Sequence, residues 1–327
     1  MIKVAFAGAF ASRFLEAVRE KVEVECELIG SSDEAAIIPR LGDTHVLVTL
    51  TFSRRMAEAA PALKLVQVPG AGLDRIDRAA LRPQTRLANA FGHEAGIAEY
   101  IFAAMLALTR SLDRLDRKLR TGTWESQWAL GVPAPPLWPE LAGKTLGILG
   151  YGHIGEALAR RARAFDMEVW ATRRHTDAAR PEELAFLGGP GQLDEVLRRA
   201  DYLAVTLSLS ETTRNLITER ELRLMKPSAF VINVARAEII DEGALYRCLA
   251  SRVIAGAALD VWYRYPTSSD ATLPATQPFH ELDNVLITPH VAGSTEGTLE
   301  SRSQLIANNI NRVARGQEPI NMIASGS

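Results

Sequence analysis

The sequence predicts an α/β protein built from two doubly wound, parallel-sheet domains. Three observations predict it. Strand-like and helix-like segments alternate through the first 95 residues. The alternation starts afresh at Lys144, and there a glycine-rich turn follows a strand directly. Alternation of this kind is the signature of a parallel sheet covered by helices.

In the first series the β-rich runs are KVAFAGA, VECELIG, HVLVTL, LKLVQVPG and RLANA, with SRFLEAVRE and SRRMAEAAPAL as helical patterns between them. A long helix is predicted next. Ile97, Ile101, Met105, Leu108, Leu112, Leu115 and Leu119 recur at spacings of three or four and make one apolar stripe, suited to a core or to subunit packing. Four prolines between Gly131 and Pro139 mark a loop. In the second series TLGILG, EVWATR, YLAVTLS, AFVINVA, VIAGAALDV and NVLITPH read as strands, several apolar throughout, as in a sheet buried on both faces. A final helix is expected from about Thr295 to Arg315. Two such domains leave a cleft of the kind in which small ligands bind.

Composition narrows the function classes. The 327 residues carry 37 basic and 39 acidic side chains, a formal net charge of −2, with no electrostatic footprint for nucleic acid or an anionic membrane. The two cysteines, Cys26 and Cys248, match no metal-ligand spacing, so no metal is expected and a reduced, cytoplasmic protein is. No run reaches the roughly 18 apolar residues of a membrane helix. The apolar N-terminus, interrupted by Lys3, reads as a first strand rather than a signal peptide.

The sharpest local motif is Gly150-Tyr151-Gly152-His153-Ile154-Gly155, between the strand TLGIL and a helix with Ile154, Leu158, Ala162 and Phe165 on one face. In that setting it reads as a dinucleotide fingerprint. Gly150 makes the tight turn, Gly152 admits a pyrophosphate, and Gly155 lets the helix pack on its strand. The N–H groups opening the helix hold the phosphates. Some 18 residues past Gly155, where a ribose-binding acid normally stands, are Thr172, Arg173 and Arg174. Arginine grips a 2′-phosphate where an acid would repel it, so NADP is favoured over NAD. Gly143-Lys144-Thr145 imitates the end of a phosphate-binding P-loop, but Trp138 stands where that motif needs glycine.

Six blocks in order extend this reading: VPGAGLDRID at 68–77, IAEYIFAAMLALTR at 97–110, GKTLGILGYGHIGEALA at 143–159, ETTRNLIT at 211–218, MKPSAFVINVARAEIIDEGAL at 225–245 and NVLITPHVAGST at 284–295. With them the chain resembles the D-isomer-specific 2-hydroxyacid dehydrogenases, glyoxylate and hydroxypyruvate reductases in particular. The resemblance implies a Rossmann dinucleotide domain at 95–290, inserted into a flavodoxin-like substrate domain made of 1–94 and 291–327. It also implies a homodimer and NAD(P)-dependent hydride transfer between the cofactor and a small 2-keto or 2-hydroxy acid.

By the same resemblance Arg236 matches the family's catalytic arginine, whose fork suits a carboxylate and the adjoining carbonyl oxygen. His290 matches the acid/base histidine, able to protonate an alkoxide near neutral pH. Val234 and Ala235 fall in the same cofactor-side block as Arg236. Asp260 matches a residue that contacts the nicotinamide amide, with an acid capping a turn at a strand end as the competing reading. Ala71 and Gly72 fall in the substrate loop, where small residues let a carboxylate approach backbone N–H groups; the family's phosphite dehydrogenases have lysine where Ala71 stands. The departure is Tyr265, in Asp260-Val261-Trp262-Tyr263-Arg264-Tyr265-Pro266, where the family usually carries the glutamate that pairs with the histidine. A neutral tyrosine offers only a hydrogen bond and leaves the histidine a weaker base. Related formate dehydrogenases carry a neutral glutamine there. The alternative that Tyr265 supports is a dehydrogenase-like dinucleotide sensor with little turnover.

Overall fold

The structure, a computed structural model, describes residues 1–132, 135, 137–176, 179–268 and 270–323. Part of the proline-rich loop expected at 131–139 lies outside the described residues. The chain divides into two compact units, one made of Met1–His93 with Ser294–Ser327 and the other of Glu94–Gly293.

The first unit is a five-stranded sheet: β1 (Ile2–Ala7), β2 (Cys26–Ser31), β3 (Val46–Thr49), β4 (Leu65–Gln67) and β5 (Arg86–Ala88), in the order β2-β1-β3-β4-β5. Every pairing between these strands is parallel. The order is that of flavodoxin-like doubly wound sheets. Val46 to Val48 is buried throughout because helices cover both faces. Ser53 caps the helix Arg54–Ala59 by accepting from the Met56 N–H, and Thr295 caps Glu296–Ala314 by accepting from that of Thr298. Ile306, Ala307 and Ile310 of the last helix join Val4, Phe6, Val46 and Leu65 in one apolar cluster.

The second unit holds a seven-stranded parallel sheet: β6 (Thr145–Leu149), β7 (Glu168–Thr172), β8 (Phe186–Gly188), β9 (Tyr202–Val205), β10 (Phe230–Asn233), β11 (Gly256–Leu259) and β12 (Val285–Ile287). Their order is β12-β11-β10-β9-β6-β7-β8. It runs outward in both directions from the β6–β9 pair, the switch-point arrangement of dinucleotide-binding sheets. Six of these strands are legible in the sequence; β8 is not, being a three-residue edge strand of half-buried pattern.

The long helix is corrected in one respect. The apolar stripe continues through Leu112 and Leu119, yet the helix Glu94–Arg110 ends there and a second, Leu112–Arg120, leaves at 59°. Ser111 between them sits in the left-handed region at φ 51°, which an α-helix cannot pass through. Ile101 and Met105 are buried before the break, whereas Leu112 and Leu119 are half exposed after it. No single helix among the described residues is long and apolar enough to cross a membrane.

Candidate active site

Parallel strands all deliver their connecting loops to one edge, so register decides which loops meet. Leu149 pairs with both Thr172 and Val205, Val205 with Asn233, Asn233 with Leu259, and Leu259 with Ile287. The loops carrying Gly150, Thr172, Arg236, Asp260 and His290 therefore all open from the carboxyl edge of a single sheet. Those holding Arg236, Asp260 and His290 follow three adjacent strands, each about 4.8 Å from the next.

The glycine turn is sterically specified. Gly150 has φ +100°, and a Cβ there would stand 2.6 Å from the backbone N and Cα of Leu207. At Gly155 a Cβ would meet Ile148 Cγ2 at 3.3 Å and the Gly150 carbonyl oxygen at 3.2 Å, so helix His153–Ala164 can lie close on β6 only without a side chain. Around Gly152 no atom falls within 4 Å of the place a Cβ would take. The turn is closed from β7, because the Thr172 carbonyl accepts from Gly150 N (3.1 Å) and Tyr151 N (2.8 Å). His153 and Ile154 open the helix, whose first N–H groups have no acceptor within it. The open space at Gly152 before these donors fits a pyrophosphate. Burial holds the Tyr151 hydroxyl up to about 12, well above the usual phenol range. Beyond Thr172, Arg173 is half buried with its N–H on the Gly188 carbonyl (3.0 Å), and Arg174 is exposed.

Past β10, Val234 is buried and Ala235 and Arg236 are half buried. Sequence reasoning missed Asn233, which fixes this loop: its side chain accepts from Ala235 N (3.1 Å) and donates to the Arg236 carbonyl (2.9 Å). The Arg236 Nη1 donates to the Ala235 carbonyl at 2.7 Å. An Asx-type clasp at a strand end was signalled only by the asparagine itself, a residue type that readily bonds nearby backbone.

Past β11, the Tyr265 hydroxyl lies 2.7 Å from His290 Nδ1 and accepts from the Trp262 N–H at 3.3 Å. The residue that departs from the family pattern is thus in direct hydrogen bond with the histidine. His290 has φ 58°, unusual for a side-chain-bearing residue. Asp260, 1% exposed, accepts from the Thr288 hydroxyl (2.6 Å) and from Val291 N (2.9 Å) and Ala292 N (2.8 Å). Its bonds are those of an acid capping a turn.

In the other unit Ala71 and Gly72 are half buried, and the Ala71 carbonyl accepts from Asn89 Nδ2 at 3.0 Å. Among the described residues no group of three or more His, Cys, Asp or Glu side chains is disposed to hold a metal ion.

Comparison with known proteins bears on this arrangement. The family model described as D-isomer specific 2-hydroxyacid dehydrogenase, NAD binding domain, matches residues 102–292. A glyoxylate reductase of Pyrococcus furiosus is 32% identical over 98% of this chain and 95% of its own. Among solved structures, a 2-hydroxyacid dehydrogenase from Ketogulonicigenium vulgare superposes with a TM-score of 0.80 at 29% identity, covering all of both chains. An acyclic imino acid reductase, in complex with NADPH and D-Arg, superposes at 0.81 with 25% identity over 99% of this chain and all of its own.

Proposed function

This chain belongs to the D-isomer-specific 2-hydroxyacid dehydrogenase family, and from that premise we propose that it is an NADPH-dependent reductase of a small 2-keto acid of the glyoxylate or hydroxypyruvate type. Nicotinamide-linked oxidation and reduction of 2-hydroxy and 2-keto acids is the family's chemistry. The observation that carries the proposal is the bond between Tyr265 and His290 Nδ1, on the sheet edge that also presents Arg236.

When bound, the reduced nicotinamide supplies hydride; the chain's residues do the rest. The Arg236 guanidinium grips the substrate carboxylate and polarises the ketone. The backbone around Ala71 and Gly72 is proposed as a further carboxylate contact. His290 delivers the proton that the developing alkoxide requires, and Tyr265 holds the ring that does so. Because Tyr265 is neutral at working pH, it orients the imidazole without stabilising its charged form as a carboxylate does.

Gly150, Gly152, His153, Ile154 and Gly155 are proposed to hold the pyrophosphate, with Thr172, Val234 and Ala235 lining the cofactor. Arg173 and Arg174 take the 2′-phosphate, which makes NADP(H) the preferred form. The imino acid reductase bound to NADPH supports that choice. A homodimer is proposed as well: Trp128 is 85% exposed and Leu130 wholly so, in the stretch that also leaves Trp124 and Leu137 in solvent, and a second copy is the partner suited to cover them. A reducing, cytoplasmic setting suits the two free thiols, Cys26 and Cys248.

The test is loss of NADPH and NADH absorbance with a panel of 2-keto acids. Turnover on glyoxylate or hydroxypyruvate, faster with NADPH, is expected. Tight cofactor binding with no turnover on any acid would replace the enzyme by a dinucleotide sensor.

A further inference from the structure

His290 sits in a left-handed backbone conformation that residues with side chains rarely adopt. Something must hold it there, and the bonds around it converge on one carboxylate. Both sides of His290 are tied to Asp260: the Thr288 hydroxyl and the Val291 N–H to Oδ1, and the Ala292 N–H to Oδ2. Asp260 is itself fixed at the end of β11, where its N–H donates to the Asn233 carbonyl at 3.1 Å. The Thr288 carbonyl accepts from Trp262 Nε1 at 2.7 Å and from His290 N at 3.1 Å.

The set extends into the helix Glu94–Arg110. Tyr100 Oη lies 2.6 Å from Thr288 Oγ1. A threonine hydroxyl has one proton, and a carboxylate can only accept. Since Thr288 gives its proton to Asp260, the Tyr100 hydroxyl must donate to Thr288. Burial raises the Tyr100 phenol to about 12, so it keeps that proton at any working pH. Proton order along the chain is therefore fixed from tyrosine to threonine to aspartate, and charge-assisted bonds of this kind are the stronger ones.

We propose that Tyr100, Thr288 and Asp260 are positioning residues that lock the left-handed turn and so aim the His290 imidazole. The assignment rests on the reading of His290 as proton donor.

Thr288→Val keeps the shape and deletes the hydroxyl, Thr288→Ser restores it, and Tyr100→Phe removes the outer donor. Thr288→Val is expected to lower kcat for keto-acid reduction by about 10- to 100-fold, the scale of a misplaced catalytic group. The NADPH dissociation constant and the KM for the acid should hold, and Thr288→Ser should recover most of the loss. In the cofactor-free protein the imidazole nitrogen resonances of His290 should move in Thr288→Val and Tyr100→Phe and return in Thr288→Ser. Unmoved resonances with unchanged kcat in Thr288→Val would overturn the proposal. So would Asp260→Asn variants that lose NADPH affinity while their His290 resonances stay in place. A wild-type chain that reduces no keto acid defeats the reading beneath; the resonances then still decide whether the set holds the ring.

Discussion

Replacing Tyr265 by glutamate gives His290 the charged neighbour that the family usually provides. Reduction consumes the proton carried on the imidazolium, so the rate is high at low pH and falls as the ring loses its proton. A carboxylate favours the charged ring and moves that falling limb upward. The size of the move follows from the site. The Tyr265 hydroxyl is 2.7 Å from Nδ1, and the shorter glutamate places its charge about 5 Å from the ring, inside the range where opposite charges act. Tyr265 is 38% exposed, so an effective dielectric between about 40 and 80 applies, and the attraction is about 0.8–1.7 kcal/mol. That corresponds to about 0.6–1.2 pH units. Tyr265→Phe adds no charge and leaves the limb in place, while loss of one hydrogen bond to the ring lowers the rate by about 2- to 12-fold. The assay is kcat/KM for glyoxylate with NADPH across pH, for the wild type and both variants. A Tyr265→Glu limb coincident with the wild type, or a Tyr265→Phe enzyme of undiminished rate, would refute the reasoning.

Other predictions follow from the cofactor side. Gly150→Ala must displace the Leu207 backbone and adopt a forbidding φ, costing about 2–5 kcal/mol of stability, read as a lower urea midpoint. Gly152→Ala meets no atom of the protein, so its stability should stay within about 1 kcal/mol while NADPH binding weakens sharply in a fluorescence titration. Removing both Arg173 and Arg174 should cost NADPH about 10- to 100-fold in affinity and leave NADH nearly unaffected, the loss of charge-assisted bonds to one phosphate. Stronger binding of NADH than of NADPH by the wild type would end the case for NADP. Trp128→Glu should shift sedimentation from dimer towards monomer, and an unchanged dimer would place the interface elsewhere.

What could be read from the sequence was what local sterics and periodicity dictate. Gly150 and Gly155 announced a strand–turn–helix because only glycine fits where Leu207 and Ile148 crowd the backbone. Strands buried on both faces, such as Val46–Thr49 and Tyr202–Val205, stood out as apolar runs. The edge strand Phe186–Gly188 did not, since one neighbour and three residues leave no pattern. Nor did the break at Ser111, because the apolar spacing carries on past it and only the backbone reveals the change of direction. The Tyr265–His290 bond could be guessed from the family's usual glutamate. The Tyr100–Thr288 bond could not: it joins residues 188 positions apart that no motif connects. Asp260 shows the limit most clearly, since its identity allowed a cofactor contact or a cap, and the three donors that converge on its carboxylate, from Thr288, Val291 and Ala292, could not be foreseen from it.

The most direct measurement follows the transferred atom. NADPH carrying deuterium at its transferable position is incubated with glyoxylate, and the glycolate is analysed by mass spectrometry for the wild type, Arg236→Ala and His290→Gln. Deuterated glycolate is expected from the wild type and only traces from either variant. Deuterated product at the wild-type rate from both variants would contradict this, because hydride transfer would then not depend on the guanidinium and imidazole at this sheet edge.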